Sequence, residues 1–149
     1  MRLSGVAVGV LAFLAAGALP VAAAQRIVLL TPENHEASAL GQLNAYLDEG
    51  QGRSGAIWLK LPNGELVKGR FEARKGGTVG ALGKQYGLGR PGVAYTASGT
   101  LITHGTPVNI DMKGPSGVSV HCEVFDDDGN KGGSGVCLFP KGAVYHVLY

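Results

Sequence analysis

Cys122 and Cys137 are the two cysteines of the chain, and their setting points to a structural bond rather than a reactive pair. Val118, Val120, Cys122 and Val124 alternate with Ser119, His121, Glu123 and Phe125, the period of two that marks a strand with one buried face. A dense turn region runs from Asp126 to Gly133, and Gly135 to Phe139 then reads as a returning strand. Pairing these strands would bring the two sulfurs face to face. A single even pair in an oxidising compartment reads as one disulfide. The C-x14-C spacing has neither the C-x-x-C of redox proteins nor the ligand spacing of a zinc site.

The remaining candidates for chemistry are incomplete. Gly87-Leu88-Gly89-Arg90-Pro91-Gly92 matches a dinucleotide-loop pattern, but that loop needs a strand before it and a helix opening within it, and Pro91 removes an amide. Asp126-Asp127-Asp128-Gly129-Asn130 resembles a calcium loop, yet the glycine falls at position four and position twelve is Cys137. His35, His104, His121 and His146 form no i, i+4 or H-x-H pair. Ser116 and Ser134 lack the full G-x-S-x-G elbow. Glu33, Glu36, Glu65 and Glu72 sit at a helix start, a hairpin turn and a wet strand face, without the opposed pairing of glycoside chemistry. The expectation is a chain with no catalytic set, no metal and no cofactor.

The remaining hint is a binding one. Seven bases lie between Lys60 and Arg90 against only Glu65 and Glu72. If Trp58 shared a face with Lys60, Lys68, Arg70 and Arg74, an aromatic–basic patch suited to a glycan, a peptide or an anionic polymer would result. The plainer expectation puts Trp58 in the core and leaves the bases as solvated faces.

Positioning these residues falls to short strands. Gln25 to Leu30 reads as a strand, and apolar residues at Ala37, Leu40, Leu43, Ala45 and Leu47 suggest one helix over 34–49, ended by the glycines from Gly50. Ile57, Leu59 and Leu61 alternate with Trp58 and Lys60, and Pro62-Asn63-Gly64 marks a hairpin. On the return strand Val67, Gly69 and Phe71 share one face, with Lys68, Arg70 and Glu72 on the other. Residues 76–92 are glycine-rich and read as a long loop or a bulged strand. Strands follow over Val93–Thr103, around Val108–Met112, through the cysteine hairpin and from Ala143 to Tyr149. The fold expected is mainly β, an antiparallel meander of seven or eight strands rolled into a small barrel or folded as a sandwich, with one N-terminal helix.

The N-terminus sets the expected compartment. Met1-Arg2, an apolar run from Gly5 to Leu19, a break at Pro20 and Ala22-Ala23-Ala24 follow the order of a secretory signal peptide cleaved before Gln25. The run is shorter than the roughly 20 residues of a spanning helix. Residues 25–149 then form a single domain of 125 residues, periplasmic or secreted, with no membrane span after cleavage. It carries 12 basic and 11 acidic side chains, too even a balance to call for a nucleic-acid partner.

The segment Val120–Val124, Gly133-Ser134-Gly135-Val136-Cys137 and Gly142–Tyr145 resembles the C-terminal GxGxC disulfide hairpin of small uncharacterised exported bacterial proteins. The resemblance covers about the last 35 residues and implies the hairpin and its disulfide, without an activity. The functional expectation is an exported, non-enzymatic envelope-associated domain acting on an unknown envelope component or protein. The alternative is a periplasmic inhibitor or interaction protein acting through its glycine-rich loop.

Overall fold

The computed structural model describes residues 25–49, 54–73, 78–88, 105–127 and 132–149. Eight antiparallel strands follow one another around a closed barrel: β1 Gln25–Pro32, β2 Leu43–Glu49, β3 Ser54–Lys60, β4 Leu66–Glu72, β5 Gly105–Lys113, β6 Ser119–Asp127, β7 Gly133–Leu138 and β8 Val144–Leu148. Each strand pairs with its successor, and β8 closes onto β1 with Leu30 opposite Val147. Closure leaves no open sheet edge between β1 and β8. Two short helices are inserted, α1 His35–Leu40 between β1 and β2, and α2 Ala81–Gln85 between β4 and β5.

Alternation along each strand fills the lumen. Val28 and Leu30 of β1, Leu59 of β3, Val67 of β4 and Met112 of β5 are all buried, each large side chain contributing about 1.5–3 kcal/mol on burial. The disulfide lies in this lumen: Cys122 and Cys137 are cross-strand partners with Cα atoms 4.0 Å apart, both almost fully buried. Only about 20 Å³ of free space remains between the lining side chains, room for one water-sized body. The described strands therefore enclose a packed core, as eight strands allow.

One end is sealed by α1. Asn34 caps that helix by accepting the Ala37 N–H at 3.0 Å, and the same Oδ1 accepts the Val144 N–H at 3.0 Å. Its Nδ2 donates to the Gly142 carbonyl at 2.8 Å. Tyr145, fully buried, reaches up from β8 and donates to the Gly41 carbonyl at 2.9 Å, with the Ala37 carbonyl 3.2 Å away. Burial raises the Tyr145 phenol above its ordinary pKa. At the same end the β3–β4 and β5–β6 turns are tied together, Glu65 accepting from both the backbone N–H and the hydroxyl of Ser116.

Three expectations are corrected. The helix over 34–49 stops at Leu40, because Gly41 takes φ +79° and closes the turn. Leu43, Ala45 and Leu47 then point into the lumen at every second residue as part of β2. Trp58 is not in the core: Ile57 and Leu59 take the inward positions of β3, so strand alternation sends Trp58 outward, where it is half-buried. The third expectation, that residues 76–92 form a long loop or a bulged strand, is corrected in its described part by α2. The expected signal peptide over residues 1–24, Arg74, Val93–Thr103, His104 and Asp128-Gly129-Asn130 lie outside the described residues.

Candidate functional site: an aromatic and basic outer face

The outward positions of β2 to β5 bring together most of the residues singled out from the sequence. Trp58 stands opposite Lys68, Ala56 opposite Arg70, and Lys60 opposite Leu66 across β3 and β4. On the other side of β3, Trp58 faces Tyr46 of β2, and the two rings stack with centroids 6.1 Å apart and planes 22° from parallel. This packs the indole against Tyr46 on the outer surface. Beyond β4, Lys68 stands opposite Lys113 of β5.

Between these side chains runs a shallow groove of about 360 Å³ lined by Ala56, Ile57, Trp58, Leu66, Lys68 and Gly69. Small Ala56 gives it room beside Trp58, and Gly69 keeps β4 close to β5, where a Cβ would collide with the Asp111 carbonyl. Successive strands of an eight-stranded barrel turn by about 45°, so a flat or extended partner meets roughly three strands at once. Trp58, Lys68 and Lys113 fall within that reach. Ile27, 64% exposed on β1, lies further round the wall.

Several of the residues flagged for chemistry have partners among the described residues. Ser116 is taken by Glu65. Ser134 is buried and lies 3.3 Å from His146 Nε2, but among the described residues no carboxylate joins that pair. Asp126 Oδ1 accepts from the Tyr149 hydroxyl at 2.9 Å. Among the described residues no group of three His, Cys, Asp or Glu side chains is arranged to hold a metal.

Sequence reasoning missed Tyr46 and Lys113. Tyr46 was hidden by reading its strand as helix, although Leu43, Ala45 and Leu47 already carried the period-two signal that places Tyr46 outward. Lys113 shares its face with Lys68 only through the β4–β5 register, which joins strands separated by a long connection. A second cluster was also missed. On the outer face of β5 and β6, His121 Nδ1 lies 2.7 Å from Asp111 Oδ1 and its Nε2 lies 3.4 Å from Glu123 Oε1. Partial burial alone would lower the His121 pKa, but hydrogen bonds to the two carboxylates and their charge outweigh it and raise the value above 6.5. Among the described residues, no helix is long and apolar enough to cross a membrane.

Set beside known proteins, the chain matches no family model, no curated sequence and no solved structure.

Proposed function

We propose that this is an exported, non-enzymatic binding domain of the cell envelope, which takes an anionic polymer such as a charged glycan on the outer face of β3, β4 and β5. The observation that carries the reading is the register that sets Trp58, Lys68 and Lys113 in one row. Like charges directly opposite on neighbouring strands destabilise a sheet, and a bound anion would relieve that repulsion. An indole beside them, stacked on Tyr46, offers a flat apolar surface to a sugar ring. The buried disulfide is compatible with an oxidising compartment, in keeping with the signal-like N-terminus and a periplasmic or secreted location.

The test is retention from envelope extract on immobilised protein, with a parallel bait carrying Lys68→Glu, Arg70→Glu and Arg74→Glu. Salt-sensitive retention of an anionic polymer, lost on the variant bait, supports the reading. Equal retention on both baits, or none, overturns it. The second reading is an inhibitor acting through residues 76–92. It is favoured by the anchoring of α2 on the barrel wall through Glu123, and a single protein captured equally by both baits would support it.

A further inference from the structure

The Asp111–His121–Glu123 cluster borders the proposed binding face, Asp111 standing opposite Arg70, and is joined to α2. Glu123 is 5% exposed although it points outward from β6, because α2 lies over it. Its Oε2 accepts the backbone N–H of Gly83 at 2.6 Å. The fit depends on the absence of side chains: a Cβ on Gly80 or Gly83 would run into the Glu123 carboxylate. The other carboxylate oxygen faces His121, whose second ring nitrogen faces Asp111.

We propose that His121 is a pH-operated clamp on α2, tightening the hold of Glu123 on Gly83 when the imidazole is protonated and slackening it when the proton leaves. An imidazolium has an N–H at both ring nitrogens and satisfies both carboxylates at once. A neutral imidazole has one. The 2.7 Å contact to Asp111 retains it, and a lone pair then faces Glu123 Oε1. The Glu123 side chain, 6% exposed, cannot turn to water for compensation without leaving Gly83.

The groups around the cluster define the controls. β5 presents Asp111, the neutral Asn109 and the cationic Lys113 opposite Ser119, β6 presents Glu123 and Ser119, and β7 presents apolar Leu138 and Val136. Arg70 of β4 stands beyond Asp111. Lys84 is the one charged residue of α2. His146 of β8 lines a small pocket with Tyr86, Gly87 and Leu88, which follow α2, and among the described residues it is the other imidazole beside the segment. Slackening the clamp would uncover Val136 and the Ser134–His146 pair on the barrel wall.

The sign follows from the direction of the shift. A histidine pKa raised by folding lends stability in full below the unfolded value of 6.5 and loses it as pH rises through the folded value. The test is a nuclear magnetic resonance titration of the oxidised protein over about pH 5 to 9, the range in which imidazoles titrate, following the Gly83 amide proton and the His121 ring together. The expected result is one shared midpoint above 6.5, with the Gly83 proton moving upfield as its hydrogen bond weakens. His121→Gln should flatten the Gly83 response, and His146→Gln should leave it intact. A Gly83 amide that stays fixed while His121 titrates overturns the proposal, as does one that follows His146. The wild-type titration decides the matter even if a variant fails to fold.

Discussion

Trp58 and Lys68 stand directly opposite one another across β3 and β4, both on the outside of the barrel. Lys68 in turn stands opposite Lys113, so a cationic pair sits beside the indole. If that pairing is kept for binding, it costs stability. Lys113→Glu is expected to raise the free energy of unfolding by about 0.5 kcal/mol, read as a higher urea midpoint, while weakening retention of an anionic polymer. A variant no more stable than the parent would remove the evidence for repulsion in this row.

The disulfide closes the β6–β7 hairpin across a sequence separation of 15, and replacing it with Cys122→Ala and Cys137→Ala should lower stability by about 3 kcal/mol. Because both cysteines face the lumen, a thiol reductant should act at a rate set by barrel opening rather than by reductant concentration. Rapid reduction of the native protein, proportional to reductant, would contradict the buried position.

Asn34 bonds to both the α1 backbone and Val144, which lies 110 residues away from it. Asn34→Ala removes a helix cap and two long-range hydrogen bonds, for a loss of about 2 kcal/mol. Asn34→Asp keeps the acceptor and loses only the donor to Gly142, so its cost should be the smaller in denaturant unfolding. Equal costs would show that the donor, not the shared acceptor, holds α1 in place.

The link between Glu65 and Ser116 carries a pH signature. Hydrogen bonds from the Ser116 hydroxyl and then its backbone N–H hold the Glu65 carboxyl below its usual value of 4.5. A depressed carboxyl contributes stability above 4.5 and loses it as pH falls through the folded value. Carbon resonances of the Glu65 carboxyl should titrate below 4.5, and Ser116→Ala should return them towards it. An unchanged titration in the variant would place the hydrogen bonds elsewhere.

Much of the barrel was legible because its strands alternate. The positions of Ile57, Leu59, Val67, Val120 and Cys122 follow from period two, and Asn63-Gly64 and the cysteine hairpin follow from turn chemistry. The helix over 34–49 failed because Ala37, Leu40 and Leu43 fit a helical spacing, while pairing with β1 and β3 favours the strand from Leu43. Trp58 was expected inside on account of its size, yet the alternation of its own strand already pointed it outward. The Asp111–His121–Glu123 cluster was illegible for another reason. It depends on β5–β6 register and on a glycine-bearing helix, Ala81–Gln85, with too few turns to leave a periodic signal.

Trp58 is the single tryptophan of the chain, so its fluorescence reports directly on the proposed binding face. The measurement that bears most closely on the function is a titration of that emission with an anionic polysaccharide and with a neutral one. The account predicts a saturable change with the anionic polymer alone, weakened by added salt and abolished by Lys68→Ala with Lys113→Ala. Emission that ignores every anionic polymer, or responds equally in the double variant, would contradict it.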